Sequence, residues 1–261
     1  MKKILLTLAL FTCLLPSFAQ SGSKNNLPEA GEYSIGFNAV PLIDFALDKT
    51  RIFSNTPASS SSGIISFQQP LTLSGKYMKD ASTAYRATLM LGYERNTNNT
   101  FVPKVGGDIG EDVTDTEISS NFGLRVSLGK QFYRGDRNLR GFYGYEGIIG
   151  VSREDIVKKK YGNELDATNS GNRLIKSSQG RSIGIGARGF VGLEYFFATK
   201  VSLSAEFGYG LNYQFNAGAS EVSEEFKNGQ AEETEIKMPG SQEFNMNADN
   251  ADGRIVFSFY F

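Results

Sequence analysis

The sequence predicts an all-β fold: an eight-stranded antiparallel up-and-down transmembrane β-barrel with short periplasmic turns and four long extracellular loops. Three observations carry this. Apolar residues recur with period two through most of the chain. The runs that show this period are joined by connections that alternate short and long. The last residues, Arg254-Ile-Val-Phe-Ser-Phe-Tyr-Phe261, place Ile255, Phe257, Phe259 and Phe261 on one face and Arg254, Val256, Ser258 and Tyr260 on the other. A bare apolar edge strand invites aggregation in a soluble domain. A closed barrel in a membrane has no edge, and it turns such a row towards lipid.

The N-terminus predicts export. Lys2 and Lys3 precede an apolar stretch that ends at a small-x-small exit, Ser17 and Ala19, the layout of a secretory signal peptide over 1–19. The barrel domain is then expected over 20–261. Cys13 could instead be a lipoprotein cysteine, but Thr12 before it and the apolar run beyond it fit poorly. With cleavage before Gln20 no cysteine remains, so disulfides, thiol catalysis and cysteine-bound metals are excluded.

Seven strands are read ahead of the C-terminal one. They lie near 32–42, 69–78, 84–95, 118–130, 140–152, 181–196 and 200–215. The apolar face is carried by Ile35 and Phe37, Leu71 and Leu73, Leu89 and Leu91, Val126 and Leu128, Ile183 and Ile185, and Leu203 and Phe207. The fifth strand is the least regular, because Ile148 and Ile149 fall on opposite faces; Tyr143, Tyr145, Ile149 and Val151 form its apolar side. Short links fall near 79–83, 131–139 and 197–199, and long ones near 43–68, 96–117, 153–180 and 216–251. Even strand number and this rhythm match outer-membrane barrels, with both termini on the periplasmic side.

A soluble secreted barrel also alternates, but it points its apolar face inward. Here the apolar face is too bulky to fill a narrow lumen from every strand, and the other face is mostly Gly, Ser, Thr and Asn. Tyr33, Tyr77, Tyr85, Tyr93, Tyr195 and Tyr213 sit where interfacial girdles are expected. Glycine is abundant (29, against 7 prolines), as tight strand packing in a small barrel requires.

Composition excludes several functions. The formal charge is −1 from 27 basic and 28 acidic residues, and −3 (25 − 28) without Lys2 and Lys3, too balanced for a nucleic-acid partner. There is no histidine, which rules out Ser-His-Asp chemistry and histidine metal sites. No long apolar run follows the leader, which excludes a helical membrane protein.

In strand pattern, loop rhythm and terminal Phe261 the chain resembles the small outer-membrane barrels of the OmpA/OmpX-like superfamily, in the version common in Bacteroidetes. The resemblance implies a place in the cell outer membrane among its lipid and lipopolysaccharide. It also implies insertion by the barrel-assembly machinery through the C-terminal strand, with Phe261 as the assembly signal. It implies no cofactor. The superfamily spans adhesion and surface-defence barrels, narrow channels, lipid-modifying enzymes and secretion accessories, so it is weak for activity. Its hydrolases and acyltransferases rely on histidine, and so an enzyme is not expected here.

The inward face carries Lys76, Arg86, Arg125, Arg188 and Arg254 with Glu94, Glu146, Glu194 and Glu206. A lone charge in a narrow lumen is costly, so these groups are expected to pair in a structural network. The other reading is a charged constriction in a narrow ion path. Gly184-Ile-Gly-Ala-Arg-Gly189 matches a dinucleotide fingerprint but lies within a strand with no helix after it. The acids Asp108, Glu111, Asp112, Asp115 and Glu117 lack calcium-loop spacing and read as a solvated loop. So do the acidic run Glu221 to Glu235, the basic run Lys158 to Lys160 and the serines Ser59 to Ser62. No catalytic, cofactor or metal residue is expected. The function expected is a non-enzymatic barrel that displays surface loops for envelope integrity, adhesion or partner binding; the alternative is a narrow channel for ions or small solutes.

Overall fold

The computed structural model describes residues 26–39, 71–248 and 254–261. The signal peptide over 1–19, Cys13, the first long loop at 43–68 and its serines lie outside the described residues.

Eight strands close on themselves: β1 (Tyr33–Asn38), β2 (Leu71–Asp80), β3 (Thr83–Pro103), β4 (Asp112–Arg134), β5 (Leu139–Lys160), β7 (Arg181–Ala198), β8 (Val201–Asn216) and β12 (Arg254–Tyr260). Each pairs antiparallel with the next, and β12 pairs back onto β1. The result is a closed all-β barrel, with no helix among the described residues. Its strands are the eight expected from the sequence. Four further strands belong to its long-loop end: β6 (Arg173–Ser178), β9 (Ser220–Lys227), β10 (Gln230–Lys237) and β11 (Ser241–Ala248).

The register fixes the geometry. Stepping across directly opposed residues from Asn212 on β8 passes through Gly186, Ile148, Ser127, Thr88, Ser74, Gly36 and Ser258, and returns to β8 at Ser202. The stagger is therefore 212 − 202 = 10 residues. For eight strands this gives a tilt of about 40° and a backbone radius of roughly 8 Å, a lumen that side chains can fill.

Period-two alternation decides what fills it. Ile35, Leu73, Tyr85, Leu89, Tyr145, Ile149, Ile183, Val191, Leu203 and Phe207 point outward and are exposed on the barrel. Met78, Ala84, Tyr133, Phe142, Phe190, Phe196 and Tyr260 point inward and form a buried cluster, with Leu27 packed against it. The β1–β12 seam is reinforced on its outer side, where Phe257 stacks on Phe37 at 5.5 Å and lies 5.7 Å from Phe197. Phe261 exchanges two backbone hydrogen bonds with Tyr33 at 2.9 and 3.0 Å, although its ring is exposed.

The short links are tight. Asp80 accepts hydrogen bonds from the Ser82 amide and hydroxyl at one turn. Gly135 and Lys200 take positive φ at the other two.

The described long loops correct the expectation of mobile solvated segments. Within 96–117, β3 and β4 stay paired as far as Pro103 and Asp112. Within 153–180, β5 runs on to Lys160, and β6 pairs with both β5 and β9. Within 216–251, β9 and β10 form a hairpin, and β11 pairs with the upper half of β8. A sheet in the order β10-β9-β6-β5-β4-β3 thus continues the barrel wall beyond its rim.

Candidate functional site: the sealed lumen and its rim

Two layers of ion pairs cross the lumen. The lower one, nearer the short turns, centres on Glu194 of β7, which is fully buried. Its carboxylate accepts from Lys76 Nζ (2.8 Å), Tyr133 (2.7 Å), Tyr260 (2.9 Å) and Ser202 (2.5 Å). Four strands besides its own therefore supply the donors. Lys76 Nζ also lies 3.2 Å from each tyrosine oxygen, and 5.8 Å from the ring centres of Tyr133, Phe142 and Tyr260. Below this layer Arg140 lies over the Tyr133 ring at 4.4 Å and donates to the carbonyls of Gly135 and Ala81.

The middle layer is an arginine–glutamate network. Arg86 grips Glu206 with two parallel hydrogen bonds, 2.8 and 3.2 Å, the bidentate geometry that makes such pairs strong. Its Nε sits 3.3 Å from Glu146. Arg188 bridges Glu206 at 3.0 Å and Glu146 at 3.3 Å, and Arg254 stands 3.6 Å from Glu206. The guanidinium of Arg86 also covers the Phe190 face at 4.1 Å. Higher still, Arg125 is buried on β4, with Met90 and Ile148 also buried on the strands at either side.

Eight of the nine charges expected in the lumen are therefore inside it. Glu94 is not. It has the inward parity of Met90 and Gly92 but is exposed, and its carboxylate accepts a hydrogen bond from Asn96. Of the nine expected charges the lumen thus holds five cations and three anions, and Arg140 is a further buried cation that the expectation did not include.

The expectation from sequence also missed functional neighbours. Tyr133 fell in an expected turn and so had no assigned face. Phe142 and Phe190 are apolar residues on the polar parity. Tyr260 had the right face, but nothing marked its hydroxyl as a partner of Glu194.

At the rim the acidic positions are dispersed. Glu111 pairs with Lys104 at 2.6 Å and Glu117 with Lys159 at 3.0 Å, while Asp115 accepts from the Gly162 amide. The Lys104 ammonium holds the Glu111 carboxyl below its ordinary range. Among the described residues no group of acids is placed to hold a metal ion. A pocket of about 320 Å³ lined by Asp115, Tyr161, Asn163, Asn169 and Arg173 lies between the β-extensions. Arg173 there is committed to Glu224 at 2.7 Å and to the Tyr161 ring at 4.5 Å. The dinucleotide-like run Gly184–Gly189 is a stretch of β7, paired on both sides.

Ser202 and Lys76 carry nucleophilic atoms, and both are held on the buried Glu194 carboxylate.

No family model matches the chain, and no curated protein matches it. Among solved structures it is similar to the outer membrane protein OprG from Pseudomonas aeruginosa, at 12% identity and a TM-score of 0.35, over 91% of this chain and 99% of that one. The fold assignment rests on the strand pairings of the chain itself.

Proposed function

We propose that this chain is an integral outer-membrane β-barrel, exported by its signal peptide, whose lumen is a structural plug and whose β-extension is the working surface. The role is non-enzymatic: envelope integrity, adhesion or partner binding. The observation that carries it is the division of the alternating faces. The inward face is consumed by ion pairs, while the outward face is bare and apolar.

That outward face suits lipid. On β8 it runs from Leu203 to Phe215. Twelve residue-to-residue steps tilted by about 40° span roughly 30 Å, close to the apolar band of outer-membrane barrels. Tyr33, Tyr77, Tyr85 and Tyr195 ring its short-turn end, and Tyr93 and Tyr213 its other end. Left in water, so large an apolar belt would drive aggregation. In this reading the short turns are periplasmic, lipid and lipopolysaccharide contact the wall, and the assembly machinery receives the strand ending in Phe261.

The test is replacement of 217–240 by a short turn in the producing cell. The barrel should still fold and insert, while surface binding or resistance to envelope stress falls. An unchanged phenotype with a folded barrel would remove the display reading. The second reading is a narrow channel for ions or small solutes, which the charged side chains facing the lumen would line.

A further inference from the structure

On the outward face, β7, β8 and β11 form a groove of about 550 Å³ near the long-loop rim, lined by Arg181, Ile183, Phe215, Asn216, Ala217, Gly240, Ser241 and Gln242. The register explains it. Ile183, Phe215 and Gln242 stand in one row across the three strands, and Arg181, Ala217 and Gly240 continue the same face towards the rim. Ala217 and Gly240 contribute almost no side chain, so a hollow opens beside two bulky apolar walls. The hollow is fixed by close backbone approach: a Cβ on Gly240 would meet the Asn216 carbonyl at 2.3 Å. The strand crossing behind it is tied by Ala217 N–H to Arg181 C=O at 2.7 Å and Met238 N–H to Ala219 C=O at 2.9 Å.

The chemistry is graded along the groove. Ile183 and Phe215 are exposed apolar surface, with Tyr213 packed edge-on against Phe215 at 4.7 Å. Arg181 is exposed at the rim, at the upper edge of the apolar belt. Among the described residues its guanidinium faces no carboxylate within ion-pair distance. Gln242, in the row of Ile183 and Phe215, accepts from Tyr213 at 2.7 Å, which leaves its amide nitrogen as a donor to the groove.

We propose that this groove seats a phosphorylated glycolipid of the outer leaflet, with lipid A chemistry. An acyl chain lies on Ile183 and Phe215, a phosphate on Arg181, and a sugar hydroxyl meets Gln242. Arginine suits phosphate through its planar fork of donors. The assignment rests on the membrane reading above and on this level of the wall being the outer-leaflet interface.

The test is native mass spectrometry of the protein released from micelles that contain equimolar lipid A, phosphatidylglycerol and phosphatidylcholine. Wild type should carry one lipid A adduct. Arg181→Gln should lose it at least fivefold, Arg181→Lys should lose less, and Ala217→Phe should lose it by filling the hollow. Arg137→Gln, at the opposite end, should behave as wild type. Equal adducts on wild type and Arg181→Gln would overturn the proposal, as would phosphatidylglycerol competing equally with lipid A. Vesicle insertion, read by heat-modifiable gel mobility, separates the failures. A chain that inserts but binds no glycolipid defeats only the groove; a chain that does not insert defeats the membrane reading, and the groove with it.

Discussion

Glu194→Gln should destabilise the folded barrel by about 3–5 kcal/mol, the cost of leaving a buried charge without its partner. Glu194 is the only carboxylate among the described partners of Lys76 and accepts four hydrogen bonds. The carboxamide keeps the shape but brings two donors into a site built entirely from donors. Lys76 would then have only neutral acceptors, the amide oxygen and the tyrosine hydroxyls, for a buried charge. The denaturant midpoint of the folded gel band in lipid vesicles measures the loss. The double variant Lys76→Met with Glu194→Gln removes the orphaned charge and should recover most of the stability. A double variant no more stable than the single one would show that charge pairing is not what holds this layer.

Gly129→Ala should be as severe, for a steric reason. Gly129 faces the lumen on β4 directly opposite Glu146. A Cβ there would lie 2.2 Å from the Tyr145 carbonyl oxygen and 2.6 Å from the Glu146 Cβ. Neither is the loose end of a flexible side chain, so the strand pair itself must move, and Glu146 with it. Shifting Glu146 disturbs Arg86 and Arg188 together. A loss of about 3 kcal/mol or more is expected, the upper end of overpacking costs. Gly147→Ala is the control. It lies next along β5 but faces outward, where a new Cβ would stand 4.0 Å from the Leu128 carbonyl oxygen. It should fold within about 0.5 kcal/mol of wild type. Equal yields of folded Gly129→Ala and wild type would contradict the packing described.

The barrel strands were legible because one face of each is apolar and the other is not. Leu203, Phe207 and Leu211 against Ser204 and Asn212 can be read only as a strand half-buried in something apolar. The β-extensions were not legible for the complementary reason. Asn96–Pro103 and Gln230–Lys237 are polar on both faces, so pairing leaves no hydrophobic period. Their strands are held by the ladder and by cross-strand pairs such as Glu117 with Lys159. On β10 and β9, Glu232 and Glu233 even stand opposite Glu225 and Glu224, a pattern that reads from sequence as a solvated acidic loop.

The lumen was legible in part. Strand parity placed Lys76, Arg86, Glu146, Glu194 and Glu206 inside, but parity says nothing of height. Glu94 therefore cannot be told from them, because its exposure is set by its height along the barrel. Partner choice was equally hidden. The joining of Glu194 to Lys76, Tyr133, Tyr260 and Ser202 follows from the ten-residue stagger, which exists only once the barrel closes. The groove at Arg181 is hidden from the sequence in the same way, because the pattern over β11 reads as loop.

Planar-bilayer conductance of the refolded protein, recorded beside Arg125→Ala, tests the central claim most directly. The proposed plug predicts silence from protein shown by gel mobility to be folded, because ion-paired side chains of the Glu194 and Glu206 layers occupy the lumen. Steady, discrete conductance steps that change with Arg125→Ala would contradict it, and would make the lumen an ion path.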